Sequence, residues 1–136
     1  MNVKISINSD IHEEEVIALY HANQWSSANK PKELLLGLKN SHTLVTAHLS
    51  GELVGIANAI SDGYLVVYYP HMLVIPKYQG QGIGRKMMQA MQSKYKEFHQ
   101  QILTSDANAI KFYQSLSFKT AGNTQSMWIY RGNEHS

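Results

Sequence analysis

The chain has 136 residues, no cysteine and a formal net charge of +2 at pH 7. This length predicts a single domain over residues 1–136, and the lack of cysteine excludes disulfides, a catalytic thiol and a cysteine-ligated metal. The basic residues are scattered singly and no apolar run reaches the roughly 18 residues of a membrane span, so we expect neither nucleic acid nor a membrane as partner and expect a cytoplasmic location.

The first half of the chain predicts a strand, two helices and two further strands. Asp10 and Glu13 have the spacing of a capping box, which indicates a helix start. Pro31 is typical of the first turn of a helix. In chain order, the predicted elements are strand 3–7, helix 10–23, helix 31–39, strand 43–49 and strand 52–60.

The second half begins at the Asp62-Gly63 turn signal. The run from Tyr64 to Ile75 that follows is almost wholly apolar, so we expect a strand that is buried on both faces. Pro70 within it indicates an edge, a bulge or a break, because proline cannot donate a hydrogen bond to a neighbouring strand. The predicted elements are strand 64–75, helix 82–97, strand 101–104, helix 106–116, strand 118–121, strand 126–130 and a loose tail over 131–136. The order β-α-α-β-β-β-α-β-α-β-β predicts a mixed α/β fold.

A glycine-rich loop over residues 79–85 separates the apolar strand from an amphipathic helix. Such a loop directs free N–H groups and the positive end of a helix dipole at one point, which suits an anion. Its spacing is not that of a Walker phosphate loop, and the third glycine follows the second too closely for a dinucleotide fingerprint.

The loop Gln79-Gly80-Gln81-Gly82-Ile83-Gly84 resembles the acetyl-CoA loop of the GNAT acetyltransferase superfamily. A second block resembles that family's next conserved region: Asn108-Ala109-Ile110-Lys111-Phe112-Tyr113-Gln114-Ser115-Leu116-Ser117-Phe118. Ser117 departs from the pattern, since the family usually has glycine there. The predicted element order is similar to the family fold from the first strand to about Tyr130.

The resemblance implies acetyl-CoA as co-substrate, bound in a gap where the central sheet splays after residues 65–75. It assigns the cofactor contacts to Leu73, Val74, Gln79, Gly80, Gln81, Gly82, Ile83, Gly84, Arg85, Asn108 and Tyr113.

For catalysis, the resemblance makes the Val74 N–H the donor to the developing oxyanion and Tyr113 the general acid for the leaving thiolate. Periodicity alone favours a core aromatic at Tyr113, and the Asn108 and Phe112-Tyr113 context of the resemblance favours the catalytic role instead. His71 is a candidate general base, and the alternative is proton loss through water with His71 lining the pocket. Tyr20, Trp25 and Asp62 are candidate acceptor contacts, with plain packing or surface exposure as the alternative.

These residues predict an enzyme that transfers an acetyl group to a primary amine of a small molecule or a protein, by direct attack in a ternary complex. The alternative is a CoA-binding sensor or interaction module without turnover, and a third possibility is an unrelated nucleotide-binding protein. The family also implies a possible homodimer. No histidine spacing typical of metal ligands occurs, so we expect no metal.

Overall fold

The computed structural model describes residues 2–134. Single 3₁₀ turns occur at Ser26–Asn29, Pro76–Tyr78 and Ala107–Ala109. The helices and strands are β1 (Val3–Ile7), α1 (Glu13–Ala22), α2 (Pro31–Lys39), β2 (Thr43–Leu49), β3 (Glu52–Ser61), β4 (Val66–Tyr68), β5 (Met72–Val74), α3 (Ile83–Lys94), β6 (Gln100–Ile102) and α4 (Ile110–Gln114).

The strands form one mixed sheet in the order β1-β2-β3-β4-β6. The long strand β3 pairs with β4 through its C-terminal half and with β5 nearer its N-terminal end, both antiparallel. β4 and β6 are parallel, as expected for strands joined by a helical crossover. β6 ends at Ile102 while the chain of β4 continues into β5, so the sheet opens between β5 and the segment after β6.

Helices cover both faces of the sheet. The methionines of α3 pack on one face with Val45, Val54 and Val67. On the other face α1 and α2 bury Leu19, Tyr20 and Leu38 against Ile56 and Leu73. Because both faces of β3 are covered, its run from Leu53 to Ala59 is buried throughout.

Of the edge, bulge or break expected at Pro70, the structure shows a break, since residues 69–71 separate β4 from β5. The expectation that the whole run 64–75 is buried is wrong at its start. Tyr64 is 89% exposed and Leu65 53% exposed, because both lie in the turn that precedes β4.

Other helix bounds differ from the prediction. α1 begins at Glu13, not at Asp10, and its N-cap residue His12 makes no side-chain capping bond. The predicted helix 106–116 is a 3₁₀ turn followed by the short α4.

The predicted strands 118–121 and 126–130 are absent from the described part of the chain. Residues 119–130 make turn bonds, from Gly122 N–H to the Thr120 carbonyl and from Thr124 N–H to the Ala121 carbonyl. Their apolar side chains face solvent, with Met127 and Ile129 each 93% exposed. A strand needs a neighbour for its main-chain groups, and within residues 2–134 β6 pairs with β4 alone.

No helix among residues 2–134 is long and apolar enough to span a membrane.

Candidate active site

The edge of β5 that faces away from β3 offers main-chain groups to a ligand. The Asn58 N–H donates to the His71 carbonyl, and the Ile75 N–H donates to the Val54 carbonyl. Bonded and non-bonded residues alternate along an antiparallel pair. The main-chain N–H and C=O of Leu73 therefore also point at β3, and those of Met72 and Val74 point at the open side. The main chain of Leu73 is therefore engaged with β3, and the main-chain groups left for a ligand on β5 are those of Met72 and of Val74.

The carbonyl and the N–H of Val74 have different surroundings. The Val74 carbonyl accepts bonds from Asn23 Nδ2 at 3.1 Å and from Gln79 Nε2 at 3.0 Å. Gln79 Nε2 also lies 3.2 Å from Asn23 Oδ1. The side chain of Gln79 therefore ties the glycine loop to β5 and α1, and the Val74 N–H is left facing the open edge.

The loop itself holds its backbone open at the start of α3. Gly80 and Gly82 have positive φ values of 80° and 89°, and no atom lies within 4 Å of the position of an added Cβ at either residue. Gly82 is the N-cap of α3, which has no side-chain cap, so the first N–H groups of the helix are not capped by that residue. This arrangement suits an anion such as a diphosphate.

Other loop residues have structural contacts. Gly84 permits close packing, since an added Cβ would lie 3.3 Å from Met72 Cε and 3.4 Å from Phe112 Cζ. Ile83 is 2% exposed and belongs to the core, so only its main chain could reach a ligand. Arg85 donates to Ser115 Oγ at 2.5 Å and thereby links α3 to the end of α4. Gln81 is exposed.

Tyr113 lies on α4, on the α3 side of the sheet. Its ring is half-buried against Phe112 and Phe118, with ring centroids 5.0 and 5.9 Å apart. Burial, with a smaller contribution from Asp106, raises the pKa of Tyr113 to about 12. The phenol is therefore protonated throughout the neutral range and can act as a donor.

The end of α4 explains how Tyr113 is held. Ser117 adopts a positive φ of 76°. This left-handed residue lets the Phe118 N–H bond back to the Tyr113 carbonyl at 3.1 Å. Serine here keeps the geometry for which glycine is better suited, at a cost of about 1 kcal/mol.

Three of the predicted residues meet on the other face of the sheet. Tyr20 Oη lies 2.7 Å from His71 Nδ1. The Trp25 ring packs edge-on against His71 and Tyr20, with centroids 5.1 and 5.9 Å away. Asn58 holds the main chain of His71, because its Oδ1 accepts the His71 N–H at 3.0 Å. We call Tyr20, Trp25 and His71 the aromatic cluster.

Burial lowers the pKa of His71 to about 4, and the nearby negative charge of Glu134 offsets part of this effect. The imidazole is therefore neutral at pH 7. A base role requires its Nδ1–H to donate to Tyr20 Oη, which leaves the Nε2 lone pair free.

The half-buried His71 should make the protein less stable in mild acid. Its pKa is below the ordinary 6.5, so the unfolded chain binds more protons between pH 6.5 and about 4, and stability falls as the pH drops through this window. The loss attributable to His71 is up to about 3 kcal/mol. Urea unfolding of wild type and His71→Gln at several pH values checks this, and a difference between them that does not change with pH would contradict it.

A cavity of about 310 Å³ adjoins the aromatic cluster, between the turn Ser26–Asn29, α2 and the break at Pro70. Leu34 and Ile60 give it apolar walls, and Asn58 and His71 line its polar side. Ser27 also lines it, and the buried Ser27 Oγ has no hydrogen-bond partner within residues 2–134. A larger cavity of about 380 Å³, between β1, α2 and β2, contains none of the predicted site residues.

Asp62 does not join this group. Its carboxylate accepts bonds from the N–H groups of Tyr64, Leu65 and Val66, at 2.9, 2.8 and 3.2 Å, and these bonds lower its pKa. Asp62 is four residues beyond Asn58, about 13 Å along the strand. The structure thus gives Asp62 a role in the turn after β3, apart from the aromatic cluster, and its contact with an acceptor stays a prediction.

Asn108 lies exposed in the 3₁₀ turn before α4, on the side of the sheet that carries Tyr113. Among residues 2–134, no group of three or more histidine, cysteine or acidic side chains is arranged to hold a metal.

Sequence reasoning missed Asn23, Ser27, Asn58 and Glu134. Asn58 had a signal, because it is a polar residue inside the apolar run of β3. Asn23 and Glu134 act through partners distant in sequence, Val74 and Ser26, and Ser27 is recognised only because it lines the cavity.

Comparison with known proteins supports one family. The sequence profile described as "Acetyltransferase (GNAT) domain" matches residues 7–128. An uncharacterised N-acetyltransferase from Gracilaria tenuistipitata var. liui is 30% identical over 129 residues, covering 88% of this chain and 69% of that protein.

Solved structures have the same fold. A GNAT family acetyltransferase from Streptococcus pneumoniae superposes with a TM-score of 0.83 at 28% identity, covering 96% of this chain and 99% of that one. An aminoglycoside N-acetyltransferase in complex with CoA superposes with a TM-score of 0.70 at 18% identity, covering 96% and 94%. The latter likeness concerns the fold alone.

Proposed function

Since the chain belongs to the GNAT acetyltransferase family, we propose that it transfers the acetyl group of acetyl-CoA to a primary amine of a small molecule or a protein. Transfer occurs by direct attack in a ternary complex. The observation that carries the proposal is a line of main-chain donors in two groups: those of Met72 and Val74 on the open edge of β5, and the first N–H groups of α3 behind the glycine loop.

Acetyl-CoA fits this line of donors. Met72 and Val74 face the gap where the sheet opens and would bond the pantetheine arm as an added strand does. The loop with Gly80 and Gly82 would hold the pyrophosphate, with its N–H groups and the α3 dipole. Asn108 would contact the arm from the opposite side of the gap. When bound, acetyl-CoA supplies an activated thioester.

Two groups of the chain would assist the acyl transfer. The Val74 N–H donates to the carbonyl oxygen as negative charge develops there. The Tyr113 phenol, protonated at neutral pH, donates to the departing sulfur. No side-chain nucleophile is needed, which agrees with the absence of cysteine.

His71 is better suited to orient the amine than to deprotonate it. An alkylammonium ion has a pKa of about 10.4, so proton transfer to an imidazole of pKa about 4 is uphill by about 9 kcal/mol. We therefore assign proton loss to water, and assign to His71 a hydrogen bond that directs the neutral amine at the thioester.

The cavity beside the aromatic cluster is the proposed acceptor site. Its apolar walls at Leu34 and Ile60 suit a hydrocarbon portion of the acceptor, and the unpartnered Ser27 Oγ suits a polar group on it. A volume of about 310 Å³ admits a small amine or one amino-acid side chain. The homodimer and the cytoplasmic location stay predictions.

The test is release of free CoA from acetyl-CoA across a panel of amines: arylalkylamines, polyamines, and peptides with free α-amino or lysine groups. Because the chain has no cysteine, a thiol reagent reports CoA alone. We expect calorimetric binding of acetyl-CoA and amine-dependent thiol release, with acetylated product confirmed by mass spectrometry.

Other outcomes separate the alternatives. Tight CoA binding without turnover on any amine supports the sensor or interaction module. Thermal stabilisation by ATP or NAD, but not by acetyl-CoA, supports an unrelated nucleotide-binding protein. Failure of acetyl-CoA and CoA to bind at millimolar concentration would refute the proposed activity.

A further inference from the structure

The last described residues, 131–134, are anchored to the turn Ser26–Asn29, although the sequence predicts a loose tail. Glu134 Oε1 accepts bonds from the Ser26 N–H at 3.2 Å, from Ser26 Oγ at 3.0 Å and from Tyr130 Oη at 2.6 Å. Glu134 Oε2 accepts the Asn133 N–H at 3.1 Å. These bonds to the carboxylate lower the pKa of Glu134 to about 2, although burial acts in the opposite direction.

The turn that receives this carboxylate is short and needs external support. Its own bonds include the Ala28 N–H to the Trp25 carbonyl and the Lys30 N–H to the Ser27 carbonyl. The N–H of its first residue, Ser26, has no carbonyl partner within the turn, as is usual for the first residues of a helix. Glu134 supplies that partner through a charge-assisted bond, which is stronger than a neutral one.

The same turn carries the acceptor side of the site. Trp25 directly precedes it and packs against His71, with ring centroids 5.1 Å apart. Ser27, its second residue, lines the cavity with its buried, unpartnered Oγ. Glu134 also lies close enough to His71 for its charge to act on that ring. The Glu134 carboxylate thus contacts the turn that positions both Trp25, which packs on His71, and Ser27, which lines the cavity.

We propose that Glu134 is a positioning residue for acceptor binding: it fixes the turn Ser26–Asn29, so that Trp25 and Ser27 are held beside His71 at the cavity. The assignment of this cavity to the acceptor rests on the proposed function. Acetyl-CoA binds along β5 and the α3 loop, which Glu134 does not contact, so its affinity should not depend on Glu134.

Steady-state kinetics with an amine from the panel test this role. We expect Glu134→Ala to raise the acceptor KM about 10-fold and to leave the acetyl-CoA KM and Kd within twofold. Glu134→Gln should retain most of the acceptor affinity, because its amide oxygen can still accept from Ser26. Glu97→Ala, which removes an exposed carboxylate just after α3, is the matched control and should behave as wild type. An acceptor KM for Glu134→Ala within twofold of wild type overturns the proposal.

A readout independent of turnover separates this proposal from the proposed function. In a Trp128→Phe background, Trp25 is the one tryptophan left. Nuclear magnetic resonance then follows the Trp25 indole and the His71 ring in Glu134→Ala and Glu134→Gln. We expect both signals to shift in Glu134→Ala, and the apparent pKa of His71 to fall in Glu134→Gln because a negative charge is lost. If no amine is acetylated yet these signals move, the proposed function fails and the anchoring role stands. If neither signal moves, the anchoring role fails whatever the activity.

Discussion

Replacing Tyr113 by phenylalanine should lower kcat at least about 100-fold and leave the affinity for acetyl-CoA within about threefold. A general acid contributes about 10²–10⁴ in rate. The variant keeps the ring contacts with Phe112 and Phe118 but loses the proton donor. Thiol release at saturating amine and acetyl-CoA measures the first quantity, and calorimetry measures the second.

The pH dependence sharpens the assignment of Tyr113. Because its pKa is raised to about 12, the wild-type rate should show no alkaline fall attributable to this phenol below about pH 10. Tyr64→Phe is a matched control, since Tyr64 is 89% exposed in the turn before β4. A Tyr113→Phe enzyme with wild-type kcat and the same pH profile would show that another group protonates the leaving sulfur.

Replacing Gly82 by alanine should weaken acetyl-CoA binding about 10-fold or more, equal to at least about 1.4 kcal/mol. Gly82 has a φ of 89° at the N-cap of α3, where an added Cβ would occupy open space beside the first N–H groups of the helix. The substituent competes with the phosphates for that space. The left-handed backbone should also cost about 1 kcal/mol in stability.

Gly51→Ala separates these two effects. Gly51 has a similar φ of 82° and is also free of neighbours within 4 Å, but it lies in the turn between β2 and β3. Both variants should lose comparable stability in urea unfolding, and only Gly82→Ala should lose acetyl-CoA affinity in calorimetry. Equal acetyl-CoA affinities for the two variants would contradict the placement of the pyrophosphate at the α3 loop.

Much of the fold could be predicted where local signals are strong. The strand predicted over 43–49 is found at Thr43–Leu49, because a hydrophobic run is bounded by turn residues on both sides. Pro70 predicted the break between β4 and β5 for a local reason, its missing N–H. The prediction of the last two strands was wrong. Residues such as Met127 to Tyr130 favour a strand, but they form none without a neighbouring strand to bond their main chain.

For the candidate site, too, the sequence carries the short-range signals but not the contacts between distant residues. The loop glycines and Tyr113 were proposed from two short blocks that resemble the family's conserved regions, and their roles stay predictions. For Asp62 the sequence left an acceptor contact and a surface position open, because a carboxylate after a strand can also accept bonds from a turn, and the structure shows three such main-chain bonds.

The sequence by itself determined the family, the order of the elements up to α4, and the glycine loop at the start of a helix, since these depend on residues close together in the chain. The tertiary structure alone decided that Tyr20 meets His71, 51 residues away, and that Glu134 meets Ser26, 108 residues away. It also decided that the main-chain groups of Met72, and not those of Leu73, lie on the open edge of β5. The physical reason is that these contacts depend on strand register and helix packing, which no short stretch of sequence encodes.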